Sequence, residues 1–429
     1  TRVPYAYRFS GSWQPTGMKM LNGDDYTMLM KQAYFNRNQN EQEANIREFN
    51  YDPTFTEYEQ FNNNTNWIKE VTQTGYTHDH SLSISGGGEK AKFRASLGYY
   101  NQTGTIIEQQ MNRLSARMNL EYQVSDRLKF ISDFSMTYTN NDKNYEQTDP
   151  SDSWRTMGLL DVAYRKLPNV GIYRQDSFGR NTSEYYTILP SSGLASSQKD
   201  LLNPVAVAHL AEHVQKNMRI IPTLRIQYDF IEPSDYQRLR YSGYVSFDIE
   251  NNKTNRFLPK ELVPNFTWDE TRVNNREENE SEGLSIMTDQ NITWQPNLGN
   301  SHSLLLYASW QLTSGNSQYQ QFNTYGAPSQ HITDATAAGN LQTLNSSTGQ
   351  WRSMALLGRV HYAYEGRYIL DATIRRDGST RFGSGNRWGT FPSLSGKWIL
   401  SDEKWMKGWS ERWLSELSLR VGWGVTGNQ

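Results

Sequence analysis

The segment Ala355-Leu-Leu-Gly-Arg-Val-His-Tyr-Ala-Tyr364, the dipeptide Glu365-Gly366 and the segment Arg367-Tyr-Ile-Leu-Asp-Ala-Thr-Ile-Arg375 decide how the rest of the chain is read. Leu356, Val360, Tyr362 and Tyr364 share one parity, while Arg359 and His361 hold the other. After the turn, Tyr368, Leu370, Ala372 and Ile374 alternate with Asp371, Thr373 and Arg375. Further on, Phe391-Pro-Ser-Leu-Ser-Gly-Lys-Trp-Ile-Leu400 sets Leu394, Trp398 and Leu400 against Ser393, Ser395 and Lys397. Successive side chains of a strand point to opposite faces, so each segment has an apolar face and a polar one. Strands of this kind in series predict an all-β chain, a transmembrane antiparallel barrel with a greasy exterior and a wet interior.

Working outward, Val3 to Trp13 reads as a first strand. Four more are expected at Tyr76–Ser85, Ala91–Asn101, Asn112–Gln123 and Asp126–Asn140. Strands near Met218–Phe230, Tyr236–Ile249, Glu282–Trp294, His302–Ser314, Trp351–Tyr364, Arg367–Arg375, Phe391–Leu400 and Leu414–Val425 bring the total to about thirteen, each near the ~9–11 residues of a tilted membrane strand. Leu82, Phe93, Leu97, Leu114, Met118 and Phe134 are expected to face outward, and Arg94, Ser96, Arg117, Asn119 and Asp133 inward. Between the first two strands, Asp24 to Phe35 spaces Tyr26, Leu29, Met30, Ala33 and Tyr34 as a helix docked by one apolar face. Residues 36 to 66, rich in Asn, Gln and Glu, read as exposed loop.

The connections alternate in length. Those at 86–90, 124–125, 231–235, 295–301 and 365–366 are short, whereas those at about 14–75, 141–217, 250–281 and 315–350 are long. Outer-membrane barrels have short periplasmic turns and long extracellular loops, and a soluble sandwich gives no reason for the alternation. Single-chain bacterial barrels have even strand numbers and reach 22 strands around a plugged lumen, while an open edge in lipid leaves backbone groups unpaired. The expectation is therefore a partial barrel over residues 1–429, within a polypeptide that continues past Gln429. No signal-peptide pattern opens the sequence, which for such a protein implies processing or truncation.

Composition agrees with this and excludes other classes. Lys plus Arg is 43 and Asp plus Glu 45, a net charge of −2 that makes no electrostatic case for nucleic acid. Mean hydropathy is −0.79, and no apolar run approaches the ~18 residues of a membrane helix. The 26 Tyr and 13 Trp suit interfacial girdles and stacking surfaces. The absence of Cys removes disulfides and thiolate metal sites. No nucleophile elbow, phosphate loop or EF-hand run occurs, so neither catalysis nor a cofactor is expected. His78-Asp-His80 is the one compact pair of potential metal ligands; with no third ligand nearby it reads better as polar residues entering a strand. Loop aromatics are the better functional material. Trp154, Tyr164, Tyr173, Tyr185 and Tyr186, with Tyr145 and Phe178, stand among hydrogen-bonding residues and suit capture of an oligosaccharide or peptide, against the plainer reading that they pack the loop upon itself.

Three passages resemble the SusC/RagA family of TonB-dependent outer-membrane transporters. They are Arg375-Arg-Asp-Gly-Ser-Thr-Arg-Phe-Gly383 with Asn386-Arg-Trp-Gly-Thr-Phe-Pro392, then His80-Ser-Leu-Ser-Ile-Ser-Gly-Gly87 with Phe93-Arg-Ala-Ser-Leu-Gly-Tyr99, and Leu419-Arg-Val-Gly-Trp-Gly-Val-Thr-Gly-Asn-Gln429. Asn203-Pro204 resembles a further family segment and reads as a structural turn. The resemblance implies TonB-dependent import of oligosaccharides or peptides across the bacterial outer membrane, with no catalysis. It implies a SusD-like surface lipoprotein as lid, the TonB–ExbB–ExbD complex as energy source, and an N-terminal plug outside this chain. The inward residues Arg117, Asp133, Arg225, Asp371 and Arg375 would then hold the plug. A passive porin, or a soluble β-rich carbohydrate-active enzyme, are the alternative readings.

Overall fold

A computed structural model describes residues 2–38, 46–49, 52–231, 237–263, 270–329, 331, 339–406 and 415–427. In chain order its strands begin with β1 (Tyr5–Ser12), β2 (Gly75–Gly87), β3 (Ala91–Thr103), β4 (Gln110–Gln123) and β5 (Leu128–Asp142). Two small hairpins follow, β6 (Gln147–Asp149) with β7 (Asp152–Met157) and β8 (Tyr173–Gln175) with β9 (Asn181–Tyr185). The series resumes with β10 (Glu212–Asp229), β11 (Arg238–Leu258), β12 (Asn275–Gln295), β13 (His302–Tyr325), β14 (Asn340–Tyr364), β15 (Tyr368–Ser379), β16 (Trp388–Ile399) and β17 (Ser418–Gly424). Leaving out the hairpins, these strands form one 13-stranded antiparallel sheet in which each strand pairs with its neighbours in sequence. The expected starts at Tyr236 and Leu414, and most of the short connection at 231–235, lie outside the described residues.

The register fixes the faces. Leu82 stands opposite Leu97, Phe93 opposite Leu120, and Met118 opposite Phe134. On the other face Arg94 meets Asn119, Ser96 meets Arg117, and Asn119 meets Asp133. Side chains directly opposite in an antiparallel pair share a face, so these pairs give an apolar surface and a polar one running across the sheet. The alternation at 356–374 is carried through in the same way, with Val360 beside Ala372 and His361 beside Asp371. Glu365 and Gly366 both have positive φ, 49° and 67°, as the two central residues of a type I′ hairpin require. On that same short-turn side, Glu403 accepts hydrogen bonds from Tyr368 Oη (2.5 Å), Trp398 Nε1 (3.0 Å) and Arg367 (3.0 Å), which ties neighbouring turns together.

Four strands run far beyond the length expected of a membrane segment. β11 and β12 have 21 residues each, β13 has 24 and β14 has 25. Their extra lengths consume much of what the sequence presents as loops at 250–281 and 315–350. The extensions are largely polar on both faces, with Lys253 opposite Glu280 and Gln318 opposite Thr348, though Phe322 stands opposite Leu344. Alternation of apolar and polar residues is lost there, yet the ladder of backbone hydrogen bonds continues.

The hydrophobic core lies outside the sheet. Every buried apolar side chain among the described residues belongs to the connections at the long-loop end or to the last two residues of β11. One cluster joins Phe49, Phe61, Trp67 and Val71 of the first connection to Leu167, Val170, Tyr186 and Ile188 of the second. Another adds Leu258, Leu262, Val263 and Val273. The first two long connections thus fold together into a cap. This corrects the reading of 36–66 as exposed loop, since Phe49 and Phe61 are buried. The first helix, α1 (Gly23–Asn38), docks Tyr26, Met30 and Tyr34 as expected, whereas Leu29 is 55% exposed. The docked stripe includes buried Thr27 and is rotated away from Leu29 and Ala33.

Candidate functional site

The cap is held by side chains that satisfy one another's backbone. Asn203 caps the helix Pro204–Leu210, accepting from Val205 N and Ala206 N and donating to Ile172 O (2.7 Å) and Tyr186 O (3.2 Å). The Asn-Pro pair therefore starts a helix, with proline in the first turn, where its missing N–H costs nothing. Asn169 donates to Glu48 O and Phe61 O, and Trp67 Nε1 to Leu167 O at 2.8 Å. The Glu48 carboxylate takes Ser192 Oγ (2.5 Å) and Gly193 N (2.8 Å). Buried polar groups with partners of this kind lock two chain segments more than a hundred residues apart in sequence.

Burial displaces the acidity of several groups in the cap. Burial raises the Glu57 carboxyl above its usual range, and burial also raises the Tyr186 hydroxyl, which donates to Glu57 Oε2 at 2.8 Å. Lys166 is buried, and its Nζ donates to Leu201 O at 2.5 Å. Burial pushes its amine down from 10.5 to about 7. Arg165 beside it is matched by Asp149 at 2.8 Å.

The five aromatic candidates are separated by this packing. Trp154, on β7, is 96% exposed. Tyr164 is half-buried, with its hydroxyl directly over Gly17, where a Cβ would collide with it. Tyr173 and Tyr185 stack at 5.1 Å across β8 and β9, and Tyr185 stacks in turn on His209 at 6.4 Å. Tyr185 is half-buried between these neighbours. Tyr186 is 2% exposed and belongs to the core. His209, 3.2 Å from Glu108, joins this column without any signal in the sequence, because Glu108 comes from the connection between β3 and β4. Phe178 at the β8–β9 turn is 79% exposed, with the Arg180 guanidinium 5.2 Å from its ring centre.

All five of the polar candidates lie on the polar face of the sheet. Asp133 accepts from Asn119, and the Arg225 guanidinium lies 5.5 Å from the Tyr244 ring centre. Asp371 accepts from Arg359 (3.0 Å) and is 2.8 Å from His361 Nδ1, while Arg375 is bound by Asp377 (2.8 Å). His78 and His80 stand on the apolar face. Their Nδ1 atoms meet Tyr7 Oη (2.9 Å) and Tyr5 Oη (2.8 Å), and the Tyr7 ring lies 6.1 Å from one imidazole and 4.7 Å from the other. They form an aromatic zipper between β1 and β2.

A long antiparallel meander with one apolar and one polar face, capped at the end that bears its long connections, has the form of the wall of a transmembrane β-barrel. The solved RagAB peptide importer in its closed-closed state superposes on all of this chain and 47% of its own, with a TM-score of 0.67 and 19% identity. Its open-open state gives a TM-score of 0.65. No family model matches the chain. Among curated proteins, TonB-dependent receptor P39 of Formosa agariphila is 25% identical over 84% of the chain and 31% of its own length. TonB-dependent receptor SusC of Bacteroides thetaiotaomicron is 25% identical over 85% of the chain and 35% of its own. These relatives bear out the resemblance to the SusC/RagA family of TonB-dependent receptors. The chain spans about a third of the length of the curated relatives it matches.

Proposed function

We propose that this chain supplies much of the barrel wall, and the substrate-facing cap, of a bacterial outer-membrane importer driven by TonB. The observation that carries the reading is the two-faced 13-stranded sheet with its compact cap at one end, an arrangement shared along its whole length with the RagAB importer. In this reading the apolar face meets lipid and the long connections face the cell exterior. The polar face lines a lumen that a plug, contributed by another part of the full-length protein, closes at rest. A barrel wide enough to be plugged leaks without its plug, and the outer membrane holds no ATP, so displacing the plug needs work delivered by TonB–ExbB–ExbD.

The cargo is an oligosaccharide or a peptide, trapped between the cap and a SusD-like lipoprotein lid. Exposed Trp154 and Phe178 offer ring faces for stacking at the mouth, whereas buried Tyr186 and half-buried Tyr185, stacked on Tyr173, shape the cap. Uptake of oligosaccharides and peptides in cells with and without TonB, alongside conductance of the purified full-length protein, tests the proposal. TonB-dependent uptake with a closed resting state is the expected result. Unchanged uptake without TonB, together with a steady open conductance, would point to a porin.

A further inference from the structure

The charges on the polar face divide into two unlike sectors. From β10 to β15 most are closed upon themselves, although among the arginines of that face Arg225 lies instead against the Tyr244 ring. Asp229 binds Arg240, Asp248 binds Arg219, Glu277 binds Arg256, Asp371 binds Arg359, and Asp377 binds Arg375. Asp289, lacking an arginine, accepts from Gln311 and Asn291.

From β2 to β5 the matching stops. Lys129 bridges to Glu121, but Arg94 and Arg117 have no ion pair among the described residues. The carboxylates nearest them are engaged elsewhere, Asp133 by Asn119 and Glu121, diagonal to Arg94, by Lys129. Because Arg94 stands opposite Asn119 and Ser96 opposite Arg117, the two arginines are diagonal neighbours on adjacent strands. Diagonal neighbours lie roughly 7–8 Å apart, and like charges so placed repel. Together with Ser96, Asn119, Asp133 and Thr223 they line a depression of about 460 Å³. Such a pair of planar, forked donors suits a carboxylate, which one guanidinium binds through two parallel hydrogen bonds while the other approaches from the side.

We propose that Arg94 and Arg117 anchor a carboxylate of the plug. The proposal rests on the plugged-importer reading and assigns the plug's charged contact to this sector. Two observations favour a resident anion over an anionic cargo. Arg94 is the fourth residue of β3 and Arg117 lies six before the end of β4, so both sit in the half of the wall next to the short turns, away from the cap. In the cap, by contrast, Arg165, Arg174 and Arg180 are matched by Asp149, Glu184 and Asp176, and Arg113, four residues from Arg117 toward the long-loop end, lies against the Tyr100 ring, 5.0 Å from its centre. Arg375 and Asp371, with partners of their own, have less to offer a plug.

The test uses the full-length protein in planar bilayers with stepwise urea to loosen the plug. Wild type is expected to stay closed until high urea. Arg94→Glu with Arg117→Glu should open at clearly lower urea, with at least several-fold more openings in buffer, and Arg94→Lys with Arg117→Lys should retain most of the closure. Heat-modifiable migration on gels reports whether the barrel has folded; if the reversal fails that check, the Arg→Gln pair replaces it, with the same expected direction. Equal urea thresholds for wild type and a folded variant would overturn the anchor and leave the plugged importer standing. A wild type that is itself steadily open would overturn the plugged reading beneath it. A closed variant that loses uptake of an oligogalacturonate but keeps that of a malto-oligosaccharide would overturn the anchor in favour of an anionic cargo.

Discussion

The cap and the wall are stabilised by opposite means, though one chain builds both. The cap has a conventional core, with Val71, Met157, Leu262 and Val273 fully buried and orphan backbone groups met by Asn169 and Asn203. The wall has no core of its own. Its ladders hold it together, and its large side chains, among them Leu97, Leu224, Leu370 and Ile374, are exposed on one face. In water such a surface would be a liability, and in lipid it is the stable arrangement. Substitutions should therefore follow water-soluble rules in one region and membrane rules in the other.

The largest effect is expected in the cap. Trp67→Ala removes a buried ring and the Nε1 bond to Leu167 O, and should destabilise the cap by about 3–5 kcal/mol. Limited proteolysis should then cut within 141–211 while hydrogen exchange in the wall strands stays slow. Trp154→Ala, at a 96% exposed position, should leave the cap as resistant as before. Equal damage from both would erase the distinction between core and surface.

In the wall the order is set by face. Leu370→Arg places a charge in lipid and should cost about 2–4 kcal/mol if it lies near the midplane, whereas Thr373→Arg on the polar face should be far milder. Folding titrations of the full-length protein in bilayers measure both. Equal costs, or the reverse order, would mean that the faces are misassigned.

A smaller effect separates the regions by pH. The Lys166 amine is lowered from 10.5 to about 7 in the folded cap, so between these values the unfolded chain binds more protons. Cap stability should rise with pH across that window, by roughly 2 kcal/mol over the two units above 7, and level off on either side of it. Protease resistance of the cap against pH should show the slope, and Lys166→Met should flatten it. The smallest effect belongs to the exposed ion pairs of the polar face: Arg375→Ala should change barrel stability by at most about 1 kcal/mol in the same titrations.

The wall was legible in the sequence because lipid on one side and water on the other impose a period of two, which survives in segments such as 356–374. The strand number, their order and the two faces all follow from it. The long extensions of β11 to β14 were not legible, since largely polar side chains on both faces leave no regular alternation to read. The cap was the least legible part. Phe49, Phe61 and Tyr186 are isolated apolar residues in polar surroundings, and only long-range folding brings them together. For the same reason Tyr186 could not be told from Trp154 by composition, although one is enclosed and the other bare. The column of Tyr173, Tyr185 and His209 combines residues from separate elements, which no local pattern announces.

The central claim is that one face of the sheet meets lipid and the other does not. The chain has no Cys, so single cysteines can be placed one at a time from 368 to 375 in the full-length protein and spin-labelled in bilayers. Collision with oxygen, which partitions into lipid, is then compared with collision with a water-soluble nickel chelate. Oxygen accessibility should be high at positions 370, 372 and 374 and low at 371, 373 and 375, a period of two in phase with the apolar residues. A flat profile, or one in the opposite phase, would contradict the account.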